Sequence, residues 1–272
     1  MVLFDSHTHT CFSPDADKNN TPFALCSEAL RRGFTGIAIT DHCDVNGQVE
    51  GIYPVFERDR CYEEMLSVKE HFRGRLRVSL GIEIGQAPDY PEYSRSVLSS
   101  HPYDFVLGSI HNLSGVPDFY YFKYEMMSDA LCRQLFSRTI TAARELCDFG
   151  GISSIAHLTY MHRYMLLAGK TMDFSGYREQ LEDLFKAMID RGIALELNVS
   201  LIRKGIPLYM PTAEILQLYR DVGGRLVTVG SDAHYACDVG ANIEDGYRLL
   251  SSLGFDKVAF FENGTPELFP IT

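Results

Sequence analysis

The chain has 272 residues, 46% of them hydrophobic, which is enough to bury either one large α/β core or two ordinary ones. Its formal charge of -11 repels nucleic acid and anionic membrane, so a phosphate-bearing ligand needs local positive charge from metal ions or placed arginines. No apolar run nears the ~20 residues of a membrane span, which argues against a membrane protein.

In chain order, the apolar start Val2-Leu3-Phe4 makes residues 2–5 read as a buried strand. It leads into Asp5-Ser6-His7-Thr8-His9. Residues two apart in an extended chain point to one side, so His7 and His9 aim together and can chelate a metal. The bland alternative is a solvated edge. Thr21-Pro22 is an N-cap followed by proline at the first helical position, and Gly33 closes that helix. Residues 36–40 form a second strand ending in Thr40-Asp41-His42, and a helix follows over 57–71. The strand 77–83 ends in Gly81-Ile82-Glu83, and 105–110 runs into His111. After a helix over 129–149, the strand 152–156 runs into His157. Helix 177–191, strand 193–197 and helix 212–222 follow. The strand 225–230 then delivers Ser231-Asp232-Ala233-His234.

These strands are rich in Val, Ile and Leu without polar alternation, as parallel strands covered on both faces require. Seven β–α units with no Gly-rich dinucleotide fingerprint after the first strand predict a distorted (β/α)7 TIM-like barrel, one domain over residues 1–272, more than a doubly wound sheet. In such a barrel every strand's carboxyl end opens on one face, so the strand-end ligands converge. Six of the nine histidines fall at these ends; His71, His101 and His162 read as surface or helper residues. A lone His111 or His157 would pass for a satisfied strand-end residue, and Asp41 for a capping group. The joint pattern is what points to metal. Imidazoles mixed with Asp and Glu suit zinc, manganese or iron. The ligands are too many for one ion, and Glu83 has two oxygens with which to bridge a pair. Cys11, Cys43 and Cys237 lie beside these ligands, but no spacing supports them. All seven cysteines read as free thiols, and with no leader segment a cytoplasmic protein is expected.

Asp5-x-His7-x-His9, Thr40-Asp41-His42, Gly81-x-Glu83, Gly108-Ser109-x-His111, His157 and Ser231-Asp232-x-His234 together resemble the motifs of the PHP (polymerase and histidinol phosphatase) family, in its order and over nearly the whole chain. The resemblance implies a distorted seven-stranded barrel with up to three divalent ions. His7, His9, Glu83 and Asp232 would hold the first, Glu83, His111 and His157 the second, and Asp15, His42 and His234 the third. Many members have histidine where this chain has Asp15, and Asp17 is its rival. His157 is followed by Leu158-Thr159, where many members have Pro-Asp.

The stretch Glu196-Leu197-Asn198-Val199-Ser200-Leu201-Ile202-Arg203-Lys204 is similar to one in the histidinol-phosphate phosphatase branch. Arg163 sits where that branch places a phosphate-binding arginine, against the default of a solvated one. The resemblance therefore implies hydrolysis of L-histidinol phosphate by a metal-bound hydroxide. Arg163 and Arg203 would bind phosphate, and Asp232 and His234 would assist the leaving group. The expected partner is a small phosphomonoester, not nucleic acid or membrane, and the expected state is a monomer or small homo-oligomer. The rivals are another PHP phosphoesterase, acting on phosphotyrosine, nucleotides or single-stranded DNA ends, and a non-catalytic metal-binding regulatory module.

Overall fold

A computed structural model describes residues 2–271. Ten strands and nine α-helices alternate for most of the chain. The strands are β1 (Phe4–Asp5), β2 (Gly36–Ile39), β3 (His42–Asp44), β4 (Arg77–Gly85), β5 (Phe105–Ser109), β6 (Ser154–Ile155), β7 (Ala194–Asn198), β8 (Val227–Gly230), β9 (Lys257–Glu262) and β10 (Thr265–Pro270). The helices are α1 (Pro22–Arg31), α2 (Val45–Val49), α3 (Arg58–His71), α4 (Pro91–Leu98), α5 (Asp129–Phe149), α6 (Tyr160–Leu167), α7 (Arg178–Arg191), α8 (Ala213–Asp221) and α9 (Ile243–Ser252).

The principal sheet is parallel, in the order β1-β2-β4-β5-β6-β7-β8. β3 continues β2, because Ile39 opposes Leu80 and His42 opposes Glu83 without a change of register. Seven strand positions result, and the ring is nearly closed. Across the seam, Ser6 N–H donates to Val229 O (2.9 Å), Asp232 N–H to His7 O (2.8 Å) and His9 N–H to Ala233 O (2.9 Å). The strands are buried almost throughout, as their unbroken apolar sequences require. The predicted fold is therefore observed.

The differences lie at element ends and in short elements. The strand expected over 152–156 is confined to Ser154–Ile155, because His157 turns the chain at φ 21°. α1 starts as expected, with Thr21 Oγ1 accepting Ala24 N–H and Pro22 in the first turn. Four helices, α2, α4, α6 and α9, go beyond the sequence reading. So does the antiparallel hairpin β9–β10, which turns at Asn263-Gly264 with both residues at positive φ. This hairpin packs at the base of the ring. Phe4 of β1 stacks on Phe260 (4.6 Å between centroids) and meets Phe269 (4.5 Å). Buried Asp104 accepts Asn263 N–H (2.8 Å) and Leu80 N–H (2.9 Å), joining hairpin to barrel.

Candidate metal centre

Strand ends supply the site. The extended backbone after β1 aims His7 and His9 the same way, with their Nε2 atoms 2.9 Å apart and both residues fully buried. Glu83, on β4 and also fully buried, stands in the middle. Its Oε2 is 2.7 Å from His42 Nδ1, 3.4 Å from His7 Nε2 and 3.7 Å from His9 Nε2. Its Oε1 is 3.0 Å from His157 Nε2 and 3.2 Å from His111 Nε2. Asp232 Oδ1 is 3.4 Å from His9 Nε2 and 3.9 Å from His7 Nε2. Asp15 spans the outer side, 3.1 Å from His234 Nε2 and 3.7 Å from His42 Nε2. Asp17 is turned to its own loop, its carboxylate accepting Asn19 N–H at 2.7 Å. All nine residues expected as ligands thus meet in one cup, and of the two rival aspartates it is Asp15 that faces them.

The arrangement fits divalent cations. Four overlapping groups, each of three donors lying within 4.8 Å of one another, can be drawn: His7-His9-Asp232, His7-Glu83-His157, His42-Glu83-His111 and His9-His42-His234. Glu83 Oε2, His42 Nδ1 and His234 Nε2 are buried and make no hydrogen bond, despite their close neighbours. A buried polar atom without a partner costs ~1–3 kcal/mol, and a cation would satisfy several such lone pairs at once. No cysteine takes part in these groups.

The charge balance follows from burial and crowding. Burial alone would push His7 down, but Glu196, Glu83 and Asp232 hold it well above the usual range. His9 goes the other way: burial and the neighbouring His42 and His234 hold it well below. For His42, burial opposes protonation, yet Glu83 and Asp15 raise it to about 9. Glu83 stays well below the ordinary carboxylate range despite burial, because His42, His7 and His111 surround it. Asp232 does the same, mainly through His7 and His9.

Around these groups sits a ring of holders, of which the sequence pointed to Asp41 alone, as a capping group. Ser13 Oγ lies 3.1 Å from His9 Nδ1 and donates to Asp41 at 2.6 Å. Asp41 also accepts from Thr10 N–H and Oγ1, both at 2.7 Å, so it braces the loop and does not face the cluster. Asp44 meets His111 Nδ1 at 2.8 Å, and Glu196 meets His7 Nδ1 at 2.6 Å. His162 is a correction of another kind. It was expected as a surface or helper residue, but it is buried against Phe174, and burial lowers its pKa to about 4.

A cavity of about 590 Å³ opens over the cluster. Arg163, on α6, lines it with its guanidinium over the Tyr164 ring at 5.1 Å, and its buried Nε makes no hydrogen bond. Arg203 lines it as well, but donates to Ser231 O and, at 2.8 Å, to Asp232 O, and faces Asp238 at 3.2 Å. It braces the loop that carries Asp232, whose φ is 53°. Lys204 adds a third cation and forms no ion pair among the described residues. Its pKa is lowered by burial and by Arg163. The rest of the lining is largely aromatic and acidic, with Tyr53, Tyr120, Tyr121, Tyr160 and Asp118. Beyond the two expected arginines, Lys204 alone of these had a sequence signal, as part of the Arg203-Lys204 pair.

A family profile described as PHP domain matches residues 5–200. A Clostridium acetobutylicum protein named "probable histidinol-phosphatase" is 30% identical over 267 residues, covering 96% of this chain and 97% of that one. A histidinol-phosphatase of Lactococcus lactis subsp. lactis is 25% identical, covering 96% and 95%. The crystal structure of a histidinol phosphate phosphatase from that organism, complexed with zinc, L-histidinol and phosphate, superposes with a TM-score of 0.82 at 22% identity, covering 97% of this chain and 98% of that one.

Proposed function

The chain belongs to the PHP domain family, and on that premise we propose that it hydrolyses L-histidinol phosphate to L-histidinol and inorganic phosphate. One observation carries the reading: Glu83, Asp232 and six buried or half-buried imidazoles meet beneath a cavity whose wall holds Arg163, Arg203 and Lys204. Histidinol-phosphatase relatives that align over nearly the full chain support the substrate.

His7, His9, Glu83 and Asp232 would hold one ion, Glu83, His111 and His157 a second, and Asp15, His42 and His234 a third. This donor set suits zinc, manganese or iron. When bound, such ions offset phosphate charge and lower the pKa of a coordinated water towards ~7, which supplies a nucleophile at neutral pH. Phosphate monoesters are among the slowest biological bonds to cleave, so both effects are needed.

The chain's own groups do the remaining work. Arg163 has a free planar fork that donates paired hydrogen bonds to adjacent phosphate oxygens. Lys204 adds a point charge beside it. Arg203 keeps the Asp232 loop in place at the cavity wall. For the leaving alkoxide, Asp232 and His234 are the proposed proton handlers, since both line the cavity. The tyrosines and Asp118 of the lining suit the imidazole and amine of histidinol, because a cation is favoured over an aromatic face and beside a carboxylate. We take residues 1–272 as one catalytic domain, acting as a monomer or small homo-oligomer on a small phosphomonoester, not on nucleic acid. Among the described residues, no helix is long and apolar enough to cross a membrane. Seven free cysteines support a cytoplasmic setting.

Metal-loaded protein should turn over histidinol phosphate at least ~100-fold faster, by kcat/KM, than a generic aryl phosphate, if the aromatic and acidic wall contributes ~2.7 kcal/mol to the specific substrate. Equal rates on the two would point to a broad phosphoesterase, and turnover of neither to a binding module.

A further inference from the structure

β7 supplies none of the proposed ligands, yet two of its side chains touch three of them. Glu196 and Asn198 are two residues apart on that strand, so both project to the same face. Glu196 is 1% exposed, and its two oxygens are divided between two acceptor tasks. Oε1 lies 2.6 Å from His7 Nδ1. Oε2 accepts the backbone N–H of His157, also at 2.6 Å. Asn198 Nδ2 then donates to Glu196 Oε2 at 3.4 Å and to Asp232 Oδ2 at 3.3 Å.

Each contact settles something. A carboxylate only accepts, so His7 keeps a proton on Nδ1, which leaves Nε2 as the nitrogen that would ligate an ion. His157 sits at φ 21°, a backbone conformation that costs ~1–3 kcal/mol and needs to be held. Its amide hydrogen bond to Glu196 holds it. The close approach also explains Gly230: a Cβ there would lie 2.5 Å from Glu196 Oε1 and 2.3 Å from His7 Cβ.

We propose that Glu196 is a positioning residue that couples two ion sites, orienting His7 of the first and His157 of the second through one carboxylate, with Asn198 extending the link to Asp232. The inference rests on the metal reading above. One carboxylate with separate duties for each oxygen predicts a graded loss. Glu196→Gln keeps the volume and one acceptor oxygen, so one donor stays satisfied while the other meets an NH2 group. Glu196→Ala leaves both donors without an acceptor.

The test is titration of chelator-stripped protein with Co²⁺, reading its visible absorption and its competition with a chromophoric chelator. Groups that orient metal-bound histidines typically change affinity ~10–100-fold. Glu196→Gln should weaken one site by that factor, and Glu196→Ala two, with the site of Asp15, His42 and His234 unchanged in both. Wild-type affinity in Glu196→Gln would overturn the positioning role, and a single weakened site in Glu196→Ala would overturn the coupling. Should Glu196→Ala not fold, the isosteric Glu196→Gln still decides the positioning role. Asn198→Ala decides the link, because it should weaken only the site containing Asp232, and unchanged binding would remove Asn198 from the argument. Wild-type protein that takes up no Co²⁺ would instead sink the metal reading itself.

Discussion

His42 Nδ1 lies 2.7 Å from Glu83 Oε2, while the far nitrogen of the same ring faces Asp15. One histidine thus joins the carboxylate at the centre of the cup to the one at its rim. Since every proposed ion has Glu83 or His42 beside it, Glu83→Ala should strip more than one ion per chain. Losing such a charge at a reacting phosphate should cut kcat by at least ~10²-fold. Elemental analysis equal to wild type would refute the bridging role.

The two loop aspartates should separate cleanly. Asp15→Ala is expected to remove only the third ion, because its oxygens face His42 and His234 alone. Asp17→Ala should leave metal content unchanged, since its carboxylate is spent on Asn19 N–H. Metal analysis of the pair reads both outcomes, and the reverse pattern would transfer the role to Asp17.

The cavity cations differ in what their loss should do. A charge-assisted hydrogen bond contributes ~1.5–3 kcal/mol, so Arg163→Ala should lower kcat/KM by roughly ten- to two-hundred-fold with metals intact. Lys204→Ala should behave alike but more weakly. Arg203→Ala should lower metal affinity as well, because it frees the carbonyls of Ser231 and Asp232. Wild-type turnover in Arg163→Ala, with metals bound, would make that arginine a bystander.

His162 gives a pH signature away from the ions. Burial lowers its pKa from 6.5 to about 4, so the unfolded chain binds the extra proton first. Stability is therefore fully present above pH ~6.5 and is lost as pH falls towards 4, by up to about 3 kcal/mol. Melting temperatures of wild type and His162→Gln should converge as pH drops through that window, since the glutamine removes the proton-linked loss. Parallel curves would show that His162 does not titrate with unfolding.

The residues of the cup were legible because their signal is local: an apolar run ending in His, Asp or Glu says both that a strand stops and what it presents. Barrel topology supplied the rest, bringing His7 and His234 together across the seam. Glu196, Ser13 and Asp44 were not legible as holders, because each is defined only by a partner from another strand or loop. Nor was the cavity wall, since Tyr120 and Asp118 sit in a loop with no periodicity. The β9–β10 hairpin is a different case. Asn263-Gly264 between apolar runs is a strong turn signal, but the two prolines within Thr265–Pro270 mask the second strand. Arg203 reads in sequence as a phosphate ligand, whereas in the folded chain most of its reach goes to the neighbouring backbone.

The aromatic contact between Phe4 and the hairpin sets an order of events. β1 is the first strand to be translated and leads into His7 and His9, but it has only a two-residue ladder to β2. Its other supports, β8 and the Phe260–Phe269 pair, emerge more than 220 residues later. Such distant pairings carry a large loop-closure cost and form late. On the proposed metal reading, the two leading histidines gain a fixed geometry only when the ring closes, so ion capture would be a finishing step.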